Sequence, residues 1–445
     1  MIDRSNQRVC IVGMGYVGLT LAVVMAECGY HVVGLERDAE KVNVLQTGSA
    51  HFFESGLSVR LARQLDRCSL CFTGDDGSDA VRACGVFIIT VGTPLGADST
   101  PTMDMVAQAA DQVASVMPDG ALVILRSTVK LGTTRKVVLP ILEASGRTFN
   151  LSFCPERTVE GRALEELYTL PQIIGGSGEE DAWRSTQLFQ YITPTTIRVS
   201  SLEAAELCKL LDNCYRDLTF SFGNEVALMC EALGLDALEV INAGNAGYPR
   251  TSIARPGLVG GPCLEKDPHI LHHSLAEYDY QARLVDAGRA LNEALPQRIV
   301  ESIEAVIGDQ LGQDGSIVSF CGIAFKGQPE TDDVRGTPCA ALIQAFKERF
   351  PTAHLRGHDF AVSDDVIASL GVEPATIERA FAGATLVVVS NNNARYERLE
   401  LEHLLPTLSR PSLVFDCWNC LHIDRNSTPA GVRYVRLGSA AAWSR

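Results

Sequence analysis

The chain has 445 residues, 46% hydrophobic and 21% charged, and its 38 Lys and Arg against 54 Asp and Glu leave a formal net charge of −16. At about 150 residues per domain the length suggests roughly three domains, and the composition excludes a disordered, collagen-like or coiled-coil chain. The acidity argues against a nucleic-acid coat or an anionic membrane surface as partner, so a phosphorylated ligand would need a local pocket of a few specific cations.

Residues 1–8 are too short and polar for a signal peptide, and no run of about 20 apolar residues is present to span a bilayer. Fourteen cysteines diluted over this length, without a secretory signal, point to a soluble protein of the reducing cytoplasm. Two pairs have C-x-x-C spacing, Cys68/Cys71 and Cys417/Cys420. The first lies in a strand-like stretch, 65–73, where residues three apart point to opposite faces, and neither pair has the second ligand pair of a zinc site.

Residues 8–12 read as a buried strand, followed by Gly13-Met14-Gly15-Tyr16-Val17-Gly18, a helical run over 19–28 and a second strand over 31–35 that ends at Glu36. Strand, glycine turn, helix, strand and acid form a mononucleotide-binding unit. Apolar runs at 86–91 and 122–125 alternate with helical stretches such as 105–116, the pattern of a doubly wound α/β sheet. From residue 200 the pattern changes. Leu207, Leu210, Leu211, Cys214, Leu218, Phe222, Val226, Met229 and Leu233 recur at spacings of three and four until Gly234, which predicts one long helix that bridges domains or lines a dimer interface. A second strand series runs through 317–322, 384–390 and 413–416, with a helix over 337–349. The expected architecture is α/β, with two Rossmann-like doubly wound domains (1–199 and 306–445) joined by a long central helix and a small helical domain (200–305). No sequence repeat is strong enough to mark a duplication.

Each fingerprint glycine has a mechanical reason: a tight turn at Gly13, backbone approach to a pyrophosphate at Gly15, close helix–strand packing at Gly18. Tyr16 and Val17 lie inside the same turn. Glu36, eighteen residues beyond Gly18, can accept hydrogen bonds from ribose hydroxyls and favours NAD over NADP, a preference that Arg37 weakens.

The stretch 255–268 is the second informative one. Its Gly257, Gly260 and Gly261 allow close ligand approach. Asp267 before Pro268 reads as the N-cap of a helix over 269–276. Cys263, just outside that helix and near Lys266, then occupies surroundings that favour a nucleophilic thiolate. The plainer alternative is a small buried cysteine in a glycine-rich turn.

With these motifs the chain resembles the UDP-glucose/GDP-mannose dehydrogenase family over nearly its whole length, from Val9 to about Leu421. Besides the Gly13 fingerprint, the matches in order are Val91-Gly92-Thr93-Pro94, Ser127-Thr128-Val129 and Cys154-Pro155-Glu156-Arg157. Glu206, Lys209 and Asn213 follow on the long helix, then Gly260-Gly261-Pro262-Cys263 with Lys266-Asp267, and Gly322 with Ala324-Phe325-Lys326 and Thr331-Asp332-Asp333 with Arg335.

The resemblance implies oxidation of C6 of a nucleotide sugar from alcohol to carboxylate, with two hydrides passing in turn to NAD. It implies that Cys263 captures the intermediate aldehyde as a thiohemiacetal, later a thioester that water hydrolyses. Lys209 and Asn213 would hold the developing oxyanion, and Glu156 and Asp267, with Thr128, would handle water and proton transfers. Gly13, Gly15, Tyr16, Val17, Gly18, Glu36, Lys41, Thr93, Thr128 and Arg335 match NAD positions. Glu156, Lys209, Asn213, Arg250, Gly260 and Lys326 match nucleotide-sugar positions, with Arg250 reaching across from the partner of a homodimer. No metal is implied.

For the substrate, Tyr215-Arg216-Asp217, Phe222-Gly223-Asn224-Glu225 and Pro249-Arg250 resemble members acting on UDP-N-acetylhexosamines such as UDP-ManNAc or UDP-GlcNAc. Lys266-Asp267 is shared with UDP-glucose enzymes. Pro262 stands where the first group usually has His and the second Ser. The reading leans to an N-acetylated UDP-sugar, with UDP-glucose as the alternative. A non-catalytic nucleotide-sugar-binding protein is opposed by the intact set Cys263, Lys209, Asn213, Glu156 and Asp267. A hydroxy-acid dehydrogenase leaves Cys263 and the third domain without a purpose.

Overall fold

The first 200 residues form eight strands of one sheet: β1 (Arg8–Val12), β2 (His31–Leu35), β3 (Leu70–Thr73), β4 (Val86–Ile89), β5 (Ala121–Leu125), β6 (Phe149–Phe153), β7 (Gln172–Gly176) and β8 (Thr196–Val199). The computed structural model describes residues 7–96, 99–423 and 428–439, so most of the polar amino terminus lies outside the described residues. The sheet order is β3-β2-β1-β4-β5-β6-β7-β8, parallel except where β7 runs against β6. Val9 sits between Val32 on one side and Val86 on the other. Both faces are covered: Val9, Ile11, Ile88 and Ile124 belong to one apolar cluster, and Cys10, Val12, Ile89 and Leu125 to the opposite one. Burial on both faces explains why these strands read as continuous apolar runs rather than alternating ones.

A second, wholly parallel sheet has the order β11-β10-β9-β12-β13-β14, formed by β9 (Ile317–Cys321), β10 (His354–His358), β11 (Glu373–Pro374), β12 (Leu386–Val389), β13 (Ser412–Asp416) and β14 (Val432–Arg436). The helix Arg283–Leu311 packs Leu295, Ile299 and Ile303 into the same apolar cluster as Val318, Phe320 and Val388. The fold is therefore α/β, with two parallel-sheet domains and a long central helix, Leu202–Leu233, of 32 residues. Gly234, at φ +69°, ends that helix where the apolar periodicity stops.

The chain divides into two units. The first runs to Asp212 and includes His269–Ala282; the second comprises Asn213–Pro268 and everything from Arg283 onward. The boundary falls within the long helix.

Two local expectations are corrected. Leu65 lies in the helix Leu57–Asp66, and Cys68 is a left-handed turn residue at φ +54°, so only Cys71 of that pair lies in a strand. Asp267 opens the helix Asp267–Ala276 from inside rather than capping it, because its N–H already bonds the carbonyl of Cys263 at 2.9 Å.

The structure also shows a correspondence that sequence similarity does not. Gly13 and Gly322 both leave the first strand of their sheet with positive φ, +93° and +102°. Thr90 Oγ1 donates to the Gly13 carbonyl at 2.7 Å, and Ser390 Oγ to the Gly322 carbonyl at 2.6 Å. Glu36 accepts from Met14 N at 2.9 Å, as Asp359 does from Ile323 N at 2.7 Å. Each sheet thus builds the same crevice where its strand order reverses, the place where α/β folds bind ligands.

Candidate active site

In the first unit the glycine turn connects β1 to the helix Tyr16–Glu27. A Cβ on Gly18 would lie 1.9 Å from the Gly13 carbonyl oxygen, so packing alone demands glycine there. A Cβ on Gly15 would meet nothing within 4 Å, so that glycine serves the space above the turn. Gly15 caps the helix without a side-chain hydrogen bond, and no acid occupies the first turn. The N–H groups of Tyr16, Val17 and Gly18 are thus presented to an anion, as a pyrophosphate requires. Glu36, 8% exposed, closes β2 beside them, and Lys41 stands in the first turn of the next helix, 3.8 Å from Asp38. These groups fit NAD. Across the crevice, Thr93 Oγ1 donates to the Thr128 carbonyl at 2.7 Å, which ties the segments after β4 and β5 together.

Tyr16 does more than line the turn. Its hydroxyl donates to Glu54 and accepts from Gly161 N, so burial first, and then the Glu54 carboxylate, push its pKa far above the ordinary value. Glu54 also accepts from Ala163 N at 2.9 Å. The nucleotide turn is in this way fastened to the loop that carries Glu156.

Glu156 is buried and fully engaged. Its Oε2 receives Arg126 Nη2 at 2.6 Å, and its Oε1 receives the N–H groups of Arg157 and Thr158 at 2.7 and 2.8 Å. Burial alone would raise its pKa, but the Arg126 charge and these donors outweigh it and hold the carboxyl below the usual range. Arg126 is itself fixed, donating to the Cys154 carbonyl and to Gln172. Arg157 pairs with Asp212 of the long helix at 2.8 Å. Lys209, one turn before Asn213, is 8% exposed.

The second unit contributes Cys263, which is exposed on its loop. That loop is held from both sides. Gly261 N donates to the Gly336 carbonyl at 2.7 Å, and a Cβ on Gly260 would come within 2.4 Å of the same oxygen. Gly261, at φ +97°, faces Phe325, where a Cβ would lie 2.3 Å from the ring. The cysteine loop is therefore laid against both the segment of Lys326 and that of Arg335. Lys326 Nζ lies 5.3 Å from the Phe325 ring centroid, and Arg335 pairs with its own Asp333 at 2.5 Å. Asp267 is completely buried: Oδ2 accepts from Asn213 Nδ2 at 2.5 Å, and Oδ1 has no hydrogen-bond partner among the described residues. A buried carboxylate oxygen without a partner is uncommon in a folded protein and singles Asp267 out. Arg250 is exposed and folds onto Tyr248, its guanidinium 4.5 Å from the ring centroid.

Of the residues singled out from sequence, Gly13, Gly15, Tyr16, Val17, Gly18, Glu36, Lys41, Thr93, Thr128, Glu156 and Lys209 lie in the first unit. Asn213, Arg250, Gly260, Cys263, Asp267, Lys326 and Arg335 lie in the second. Arg126 was missed. Its signal was a lone cation directly after the all-apolar β5 and before Ser127-Thr128. Among the described residues, no group of three or more His, Cys, Asp or Glu is arranged to hold a metal ion.

Three family domains match in order: the UDP-glucose/GDP-mannose dehydrogenase NAD binding domain over 7–193, its central domain over 203–294 and its UDP binding domain over 319–423. A Pyrococcus horikoshii protein named UDP-N-acetyl-D-mannosamine dehydrogenase is 30% identical over 443 residues, 97% of this chain and 99% of its own. The chain belongs to the UDP-glucose/GDP-mannose dehydrogenase family. The solved structure of the UDP-D-ManNAc dehydrogenase from Pyrococcus horikoshii superposes with a TM-score of 0.86 at 28% identity, covering 98% of this chain and all of that one. A UDP-glucose dehydrogenase from Pyrobaculum islandicum gives the same TM-score at 27% identity, with both chains covered completely. As a member of the UDP-glucose/GDP-mannose dehydrogenase family, this chain is an NAD-dependent nucleotide-sugar dehydrogenase, an oxidoreductase.

Proposed function

We propose that the enzyme oxidises the C6 hydroxymethyl of a UDP-N-acetylhexosamine, UDP-ManNAc first, to the uronic acid through a covalent adduct on Cys263. The observation that supports this most is the exposed Cys263 in one unit with Asp267, a buried carboxylate whose one oxygen is tied to Asn213 and whose other is open. NAD would be held at Gly15 and Glu36 and would supply the hydride acceptor for both oxidations, and in the first of them the C6 hydroxyl gives up its proton to water as the aldehyde forms. The thiolate of Cys263 adds to C6 of the aldehyde, forming the C–S bond while the C=O electron pair moves to oxygen. Asn213 and Lys209 donate to that oxygen. After loss of the second hydride, water attacks the thioester carbon, Asp267 takes the water's proton, and the C–S bond breaks to return the thiolate. Glu156, already ionised and locked to Arg126, orients donors in its loop, and Thr128 aids proton transfer. Lys326 and Arg250 offset the negative charge of the diphosphate, with Gly260 leaving room for the ligand.

Family position further supports domains at 1–199, 200–305 and 306–445, for NAD, the central helices and the nucleotide sugar. The long helix exposes Leu211, Tyr215, Phe222, Met229 and Leu233 at spacings of four and seven, one stripe that supports a homodimer to which Arg250 is contributed in trans. An exposed catalytic thiol suits the reducing cytoplasm. UDP-glucose remains the second substrate reading, favoured by Lys266-Asp267 and by the Pyrobaculum relative. Initial rates on UDP-ManNAc, UDP-GlcNAc, UDP-glucose and GDP-mannose test the choice: the proposal expects kcat/KM at least about tenfold higher for an N-acetylated UDP-sugar. A preference for UDP-glucose overturns it.

A further inference from the structure

We propose that Arg289 is a positioning residue for Cys263: with Asp217, Asn292 and Asn224 it forms a buried clamp that fixes the cysteine loop at both ends. The proposal rests on the reading of Cys263 as the nucleophile. Arg289, on the helix Arg283–Leu311, is 4% exposed. Its Nη1 donates to Asp217 Oδ1 of the long helix at 2.8 Å and to the carbonyl of Leu264, the residue after Cys263, at 3.0 Å. Asn292, three residues on, donates to the same Asp217 oxygen at 2.9 Å and accepts from Asn224 Nδ2 at 2.9 Å. Asn224 Oδ1 in turn accepts from Gly257 N at 2.8 Å. An unbroken chain of hydrogen bonds thus runs from Gly257 to Leu264. The two helices meet closely enough to carry it because Gly288 has no side chain: a Cβ there would lie 2.7 Å from Ser221 Oγ.

Local chemistry explains why a donor is needed at Leu264. The Cys263 carbonyl accepts from Lys266 N and Asp267 N, so the turn after the cysteine is already helical. The Leu264 carbonyl would take its bond from residue 268, but Pro268 has no N–H. Arg289 supplies the missing donor in a dry interior where an orphan carbonyl is costly. A buried ion pair is a poor device for stability alone, since apolar residues of equal volume often serve as well. Its directional bonds instead fix which way the peptide after Cys263 points. Without Arg289 the Leu264 carbonyl has no fixed donor, so the peptide after Cys263 loses its orientation and the surroundings that favour a thiolate are weakened.

The test is the pH dependence of Cys263 alkylation by iodoacetamide, read by peptide mass spectrometry against exposed Cys68 in the same full-length protein, with kcat, KM and NAD affinity alongside. In Arg289→Met the alkylation midpoint should rise by about one pH unit and the rate at pH 7 fall about tenfold. Its kcat should fall about 100-fold, with both KM values and NAD affinity within about twofold. Arg289→Lys, which keeps the charge but loses the fork, should recover part of the loss. A native alkylation profile in Arg289→Met overturns the proposal, as does the same profile in Arg289→Lys should the methionine variant not fold. A loss shared equally by NAD affinity also overturns it, as the mark of a purely structural role. Full turnover in Cys263→Ser would sink the nucleophile reading instead, while the alkylation profile still judges the clamp.

Discussion

Glu156 and Asp267 are two buried carboxylates with different partners, Arg126 for the one and Asn213 for the other. Glu156 is held ionised, so its pairing with Arg126 stabilises the fold above the ordinary carboxylate range and is lost as pH falls through its lowered pKa. Melting temperature should therefore drop between about pH 5 and pH 3 more steeply in the native protein than in Glu156→Gln, which cannot titrate. Arg126→Met, which leaves Glu156 buried without its countercharge, should cost about 3–5 kcal/mol in urea unfolding at pH 7. Asp267→Asn removes the open oxygen's basicity but not its shape. Its kcat should fall by about 100-fold, with KM for the UDP-sugar little changed in steady-state assays. Cys263, Lys209, Asn213 and Glu156 could be singled out as candidates from sequence because their motifs are local. Arg126 and Arg289 were not: a single cation in an apolar stripe acquires meaning only once its partners, 30 residues away for Glu156 and 72 for Asp217, are known.

Among the elements, the long helix and the most apolar strands, β1, β2, β4, β5, β9, β12 and β13, were plain from sequence pattern, whereas β6, β7, β8, β10, β11 and β14 were not, nor was the pairing. Nothing local distinguishes β7, which runs against β6, from its parallel neighbours. Nor does residue identity reveal that Gly322-Ile323-Ala324 repeats the geometry of Gly13-Met14-Gly15, since equivalent hydrogen bonds come from Asp359 and Ser390 in place of Glu36 and Thr90. Asp267 misled because proline after aspartate marks a helix start in general, while here the helical hydrogen bonds begin earlier, at Cys263. The glycine turn yields the clearest prediction at this scale. In Gly18→Ala the new methyl meets backbone at Gly13, so KM for NAD should rise at least about tenfold in steady-state assays while KM for the UDP-sugar holds. Unchanged NAD kinetics would show that the turn does not govern the cofactor.

For the molecule as a whole, family membership rests on similarity along the full length, and the proposed chemistry draws on a nucleotide turn plus an exposed cysteine. The apolar stripe on the long helix belongs to this scale too. Tyr215, 72% exposed, is its most accessible aromatic; the homodimer proposed through this stripe predicts a dimer's sedimentation coefficient for the native chain and a monomer's for Tyr215→Asp. The net charge of −16 repels a diphosphate at long range, so the cations proposed at Lys326 and Arg250 must offset it locally, and Lys326→Met should raise KM for the UDP-sugar in steady-state assays. We propose a four-electron oxidation through one cysteine. Its most direct test is the amount of NADH formed per UDP-sugar consumed, with excess NAD, in the native enzyme and in Cys263→Ser. The account predicts two NADH per sugar from the native enzyme and loss of complete oxidation in the variant. A single equivalent from the native enzyme, or undiminished double oxidation in Cys263→Ser, would contradict it.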